Sequence, residues 1–309
     1  MLDRRGFVGA ALAAGVASRA GALSPNPPAW APFFGRDIEQ RFGGRLGFAM
    51  ASPSGPVVDW RGGDRFAFCS SFKMSLAALV LDGAARGAWS LDELLPFSAA
   101  DILPNSPVVK AHLSEGRLSL AALADAAQKT SDNAAANLLL RRIGGLERLN
   151  SFWRGLGDPF SRIDDYETAL NRVPLGNPRN TTTPRAAAEA MVQMFARGGI
   201  KPQAAATLKS WMHDTATGKN RLRAGLPADW WAGDKTGTGL PDDIPGTYVD
   251  LAWVEPPNPP AFAIAAFYQP AKPTPDGDPS AEAILAQVGR IVAERVMAQA
   301  RSASRVAKP

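Results

Sequence analysis

Cysteine is nearly missing from this 309-residue chain: Cys69 stands alone, so no internal disulfide can form. Histidine is almost as scarce, with only His112 and His213, far apart. A zinc hydrolase needs several His, Asp, Glu or Cys ligands at close spacing, and the sequence offers no such set. Neither a metal nor another cofactor is therefore expected. Two isolated histidines also give poor support to a Ser-His-Asp triad, which leaves lysine or a carboxylate to move protons. No Lys/Arg run occurs and the net charge is only +5, so nucleic acid is not an expected partner. Long apolar runs are missing too. The mildly apolar stretch from Phe7 to Ala17 falls short of the roughly 20 residues that cross a bilayer, and no later segment is long and apolar enough.

What is present suits a soluble globular protein: 46% apolar and 20% charged residues. The length is enough for one large domain or two lobes around a sizeable core. The N-terminus carries an address. Arg4-Arg5-Gly6-Phe7-Val8 is a twin-arginine pair followed by an apolar position, and Ala20-Gly21-Ala22 offers small residues for a signal peptidase. Residues 1–22 thus read as a Tat-type signal. The rest, 23–309, is expected to be a single soluble catalytic domain, monomeric and periplasmic, without a membrane span.

Along that domain the pattern changes twice. Residues 26–34 are proline-rich and read as a loose lead-in, followed by a helix over 36–42. Two short apolar runs, 46–52 and 56–60, flank Ser52-Pro53-Ser54-Gly55 and read as a hairpin. From residue 70 to 86 the spacing turns helical, with Phe72, Leu76, Leu79 and Val80 on one face and Gly87 as the stop. Helical stretches recur at 118–129, 132–143, 146–156, 184–197 and 202–214. Between them, 158–183 is polar and aperiodic, and a loop of that length is usually functional or disordered. Near the end, 230–236, 248–255 and 262–269 read as strands, before a last helix over 281–300. Strands at both ends and helices between them predict an α/β (α+β) two-lobe fold. A five-stranded antiparallel sheet flanked by helices would occupy about 35–66 and 215–300, and an all-α lobe about 67–214. The site would lie in the cleft between them.

Three short motifs carry candidate chemistry. Ser70-Ser71-Phe72-Lys73 sets a hydroxyl and an ammonium three apart, on one helix face. If Ser70 begins the helix, it sits where backbone N–H groups lack partners and the dipole is positive. Alone, the tetrapeptide reads equally as a capping serine and a surface lysine. Ser131-Asp132-Asn133 falls at a predicted helix start, where capping is the plain reading. Lys235-Thr236-Gly237 ends a predicted strand. The three in this order resemble the signature of class A β-lactamases and penicillin-binding proteins.

The chain as a whole resembles a class A serine β-lactamase over nearly all of the mature sequence. The resemblance runs through residues 65–73, Ser106-Pro107-Val108, 133–140, 221–227 and 233–239. On the long loop, Glu167-Thr168-Ala169-Leu170-Asn171 resembles the E-x-x-L-N segment of that family. The resemblance implies hydrolysis of the β-lactam ring of penicillin- or cephalosporin-type antibiotics, and so antibiotic resistance. It implies Ser70 as nucleophile, Lys73 and Glu167 as proton carriers, and Ser131 as relay to the departing nitrogen. It implies Asn133 and Asn171 around the acylamino side and the water. Arg221, Lys235, Thr236 and Thr238 are implied for the substrate carboxylate, and the N–H groups of Ser70 and Thr238 for the oxyanion hole. Which group activates Ser70, Lys73 or Glu167 through water, stays open. The alternative is a cell-wall DD-peptidase of the penicillin-binding type, which shares the three motifs but not the deacylating Glu167.

Several positions depart from the family pattern. Many relatives anchor the long loop with an Arg–Asp pair at positions held here by Asp165 and Asn180. The expectation is a substitute: hydrogen bonds between these two, or a bridge from Arg162 or Arg179. Tyr166 replaces a frequent Trp, Thr168 a frequent Pro, and Asn105 a frequent aromatic at the cleft mouth. Gly239 offers no cysteine partner to Cys69.

Overall fold

The computed structural model describes residues 30–306, with side chains up to residue 302. The signal assigned to 1–22 lies outside the described residues. Five strands form one antiparallel sheet: β1 (Arg45–Ala51), β2 (Val58–Trp60), β7 (Trp231–Gly239), β8 (Thr247–Glu255) and β9 (Phe262–Gln269). Their spatial order is β2-β1-β9-β8-β7, so stretches as far apart in sequence as Arg45 and Gln269 lie side by side. β9 is buried from end to end. Its residues alternate between two cores: Phe262, Ile264 and Tyr268 face one, Ala263, Ala265 and Phe267 the other. A strand covered on both faces reads as a continuous apolar run rather than an alternation.

One face is covered by α1 (Trp30–Phe42) and α9 (Pro279–Val306), the other by α7 (Pro184–Ala196) and the helical layer. That layer centres on α2 (Phe72–Ala85), whose residues from Phe72 to Gly83 are all buried. A mostly apolar helix buried on every side belongs inside a core, and its few polar side chains, Lys73, Ser75 and Asp82, are buried with it. Packed on it are α4 (Leu120–Lys129), α5 (Asn133–Ile143), α6 (Gly145–Gly155) and α8 (Pro202–His213). Gly83 lets the Trp89 ring pack against α2, since a Cβ there would lie 2.1 Å from that ring. Among the described residues no helix is long and apolar enough to cross a membrane.

The structure corrects the sequence reading in four places. The lead-in is helical from Trp30, within α1. Ser70 does not begin the α-helix; it sits in a 3-10 turn, Cys69–Ser71, that feeds α2. Lys235-Thr236-Gly237 does not end a strand, because β7 continues to Gly239. Short elements were missed: β3 (Phe66–Ala67) pairs with β6 (Thr181–Thr182), β4 (Leu94–Pro96) pairs with β5 (Arg117–Ser119), and α3 (Pro107–Ala111) follows Ser106. Pieces of two to five residues carry too little periodicity to be legible.

Candidate active site

Ser70 owes its position to the turn before α2. Cys69 takes a left-handed φ of +47°, and the Ser71 hydroxyl donates to Phe68 O at 2.6 Å. Strand β7 passes so close that a Cβ at Gly237 would lie 2.8 Å from Ser71 N and 3.0 Å from Phe68 O. Only glycine lets the edge strand lie against the nucleophile turn. Thr236 and Thr238 are thereby brought to the same cavity as Ser70.

At the second position of α2, three residues after Ser70, the Lys73 ammonium is fully buried and surrounded by acceptors. It lies 2.9 Å from Ser70 Oγ, 2.9 Å from Ser131 O, 3.4 Å from Ser131 Oγ and in close contact with Asn133 Oδ1. It also pairs with Glu167 Oε1 at 2.9 Å, both side chains fully buried. Burial pulls its pKa below the ordinary lysine range, while the Glu167 charge acts the other way. The same Glu167 oxygen accepts the Ser70 hydroxyl at 3.0 Å. A serine hydroxyl thus has an amine and a carboxylate within proton-transfer reach.

Glu167 is held at both ends. Asn171 Nδ2 donates to its Oε2 at 2.7 Å. Its backbone N–H donates to Asn137 Oδ1 at 3.0 Å, and its carbonyl accepts from Asn137 Nδ2 at 2.9 Å. Asn137 escaped the sequence reading. A signal existed: asparagine is a poor helix former, yet Asn137 sits inside α5 one turn after Asn133. Asn171 Oδ1 is buried without a partner among the described residues, an acceptor next to Glu167.

The S-D-N segment turns on two strained residues, Ser131 (φ +58°) and Asn105 (φ +54°). Asn105 Nδ2 donates to Ser131 O at 2.9 Å and Asn105 O accepts Asn133 N at 2.9 Å. Where the family often has an aromatic, this chain uses an amide that braces the Ser131 turn. The middle residue, Asp132, is buried and structural: it caps α5 through Ala135 N and accepts Val108 N and Val109 N at 2.9 and 3.0 Å.

Across the cavity, Lys235 is fully buried and donates to Thr236 O at 2.8 Å. Burial and then the nearby Lys73 charge lower its pKa to about 7. Arg221 is not a surface residue. It donates to Gly237 O, Val249 O and Thr238 Oγ1 at 3.0, 2.8 and 2.7 Å, and its Nε pairs with Glu282 Oε1 at 3.0 Å. Four of five guanidinium N–H groups are thereby used, leaving one Nη2 donor toward the cavity. Glu282 was not singled out in the sequence, because it comes from the far helix α9, 61 positions on.

The cavity has a volume of about 650 Å³ and is lined by Ser70, Ser131, Asn133, Asn171, Thr236 and Thr238 among others. All ten residues named from the sequence therefore lie in or directly behind one cleft between the sheet edge and the helical layer. Among the described residues no three His, Cys, Asp or Glu side chains are grouped as metal ligands would be.

This geometry has close counterparts. A profile of the β-lactamase enzyme family matches residues 36–296. The chain belongs to the class A serine β-lactamase family. It is 37% identical to the carbapenem-hydrolysing β-lactamase KPC of Klebsiella oxytoca over 83% of this chain and 86% of that protein. It is 38% identical to a β-lactamase of Mycobacterium tuberculosis (strain ATCC 25618 / H37Rv), over 90% of each. The structure of a reconstructed last common ancestor of Gram-negative class A β-lactamases superposes with a TM-score of 0.80 at 38% identity, covering 86% of this chain and 99% of that one.

The long loop is anchored at its neck by Asp165 and Asn180. Asn180 Nδ2 donates to Asp165 Oδ2 at 2.8 Å, and Asn180 Oδ1 accepts the N–H groups of Asp164 and Asp165 at 2.7 and 3.0 Å. Arg179 adds an ion pair to Asp165 at 2.8 Å, while Arg162 turns to Asp164 instead. Thr168 follows a cis peptide from Glu167. Gly239 packs on the single cysteine, since a Cβ there would sit 3.0 Å from Cys69 Sγ. Burial pushes the Cys69 thiol pKa up, so it is an inert packing group.

Proposed function

We propose that this class A β-lactamase opens the lactam ring through a Ser70 acyl-enzyme and clears the ester with water activated by Glu167. The observation that carries the reading is the triangle of Ser70 Oγ, Lys73 Nζ and Glu167 Oε1, with contacts of 2.9 to 3.0 Å. Ser70 attacks the lactam carbonyl, and its proton passes to the Lys73–Glu167 pair. Backbone N–H groups of Ser70 and Thr238 receive the charge that develops on the carbonyl oxygen. Ser131, within reach of Lys73, hands a proton to the departing ring nitrogen. Glu167 then takes a proton from the water that attacks the ester and returns it to Ser70 Oγ as the acyl–oxygen bond breaks, and Asn171 orients that water. Proton transfer of this kind is typically worth about 10²–10⁴-fold. Asn133 meets the acylamino group, while Lys235, Thr236, Thr238 and the free donor of Arg221 meet the ring carboxylate.

The same reading makes residues 23–309 one catalytic domain, exported by the twin-arginine signal to the periplasm, where a monomer would confer resistance. A chromogenic cephalosporin tests the activity directly. Many equivalents should be hydrolysed per protein molecule. A single stoichiometric burst would instead fit a penicillin-binding DD-peptidase.

A further inference from the structure

The cavity wall carries one charge that the proposed reaction does not use. Lys219 lines the cavity beside Arg221 and Thr236. It is exposed, and among the described residues it has no ion-pair partner. Of the other charges there, Glu282 pairs with Arg221 and Glu167 with Lys73, while Lys235 is fully buried and assigned to the ring carboxylate. The opposite wall, with Asn133 and Asn171, is uncharged.

Lys219 does not ride on a loose loop. Residues 218–221 form a turn closed by Arg221 N donating to Gly218 O at 2.9 Å. Gly218, at φ +87°, presses on Asp234 so closely that a Cβ would lie 1.9 Å from its Oδ2. Just before it, Thr217 shares a 2.7 Å hydrogen bond with Thr236 Oγ1 and its carbonyl accepts Arg223 Nη2 at 3.0 Å. The turn is pinned at its base, and Lys219 stands at its apex on the side of the groups assigned to the ring carboxylate.

We infer that Lys219 is a specificity residue that favours cephalosporins bearing a second anionic group next to the ring carboxylate. The inference rests on the β-lactamase reading. In a cephalosporin, the ring carbon beside the carboxylate-bearing carbon carries the variable substituent. With the carboxylate held by Lys235, Thr236, Thr238 and Arg221, a substituent on the neighbouring carbon lies in the same cavity that Lys219 lines. A sulfonate or carboxylate on it meets an unpaired ammonium, while a neutral substituent meets none. A solvent-exposed pair at about 4 Å corresponds to roughly a fivefold effect, screened by salt.

The test uses two cephalosporins with the same acyl chain, one with a neutral and one with a sulfonate-bearing substituent at that carbon. The full-length protein and its Lys219→Ala and Lys219→Glu variants are compared by kcat/KM at low and high NaCl. The wild type should prefer the anionic substrate by about fivefold. Lys219→Ala should abolish the preference and Lys219→Glu reverse it, with the neutral substrate unchanged within twofold. High salt should shrink the wild-type preference. An equal preference in wild type and Lys219→Ala would overturn the assignment, as would a parallel loss on both substrates. Failure of the wild type to turn over the neutral comparator would instead refute the hydrolase reading, and this inference with it.

Discussion

Replacing Asn180 with alanine should loosen the 158–183 loop and slow ester clearance more than acylation. Asn180 is 2% exposed, and its side chain makes three of the contacts that close the loop neck. Alanine leaves two backbone N–H groups, those of Asp164 and Asp165, without their acceptor. A buried unsatisfied donor costs about 1–3 kcal/mol, which bounds the loss near 6 kcal/mol if no water enters. The neighbouring Arg179–Asp165 pair is half-exposed, so water can enter. The expected loss is therefore about 2–3 kcal/mol, toward the lower end of that range. Asn180 also holds φ +55°, where alanine costs about 1 kcal/mol more than glycine. Asn180→Gly separates the two effects, because it removes the side chain and keeps the backbone relaxed. For a chain of this size 1 kcal/mol moves Tm by roughly 2–4 °C, so the combined loss of about 3–4 kcal/mol in Asn180→Ala should lower Tm by about 6–16 °C. Because the loop carries Glu167 and not Ser70, the steady-state fraction of acyl-enzyme should rise, as read by intact mass during turnover. A variant that melts with the wild type and accumulates no ester would refute this account of the anchor.

Two further expectations concern buried charges. Lys235 is protonated only below its lowered pKa of about 7 in the free protein. Recognition of the substrate carboxylate should therefore weaken as pH rises through that value, lowering kcat/KM; Lys235→Arg, charged throughout, should flatten that limb. A wild-type profile level from pH 6 to 9 would contradict the assignment. Behind Lys235, Asp234 and Asp250 are both fully buried, and burial raises both carboxyl pKa values. Arg223 Nε lies 2.5 Å from Asp234 Oδ1 without alignment for a hydrogen bond, so the pair is under-satisfied. A raised carboxyl pKa stabilises the fold at pH values below the unfolded pKa, and that contribution fades as pH rises through the folded one. Asp250→Asn should consequently be more stable than wild type at pH 8 and not at pH 3, by thermal melts; a gain of equal size at both pH values would contradict it.

Much of the site was legible because its chemistry is local. Ser70 and Lys73 share one helix turn, and Glu167 and Asn171 one loop segment. The strands of β8 and β9 were legible from their unbroken apolar runs. What escaped was held by distance or by small size. Glu282 reaches Arg221 from another helix, and Asn137 on α5 clamps the Glu167 backbone on the loop. The first pairing leaves no mark in a single sequence, and the second leaves only an asparagine inside a helix. Gly237 looked like a strand end, since glycine weakens a strand interior. The close approach of β7 to the Ser70 turn explains it, and only packing reveals that. Asn105 and Asn180 replaced family residues of other chemistry, and their roles as braces follow from left-handed backbone that asparagine tolerates.

The central claim is that Ser70 is acylated and that Glu167 frees it. Glu167→Gln keeps the shape of the side chain and removes its charge and its capacity to accept a proton. Mixed with benzylpenicillin, this variant should gain the mass of one intact penicillin molecule, and peptide mapping should place the adduct on Ser70. Continued turnover by Glu167→Gln at the wild-type rate, with no adduct, would contradict the account.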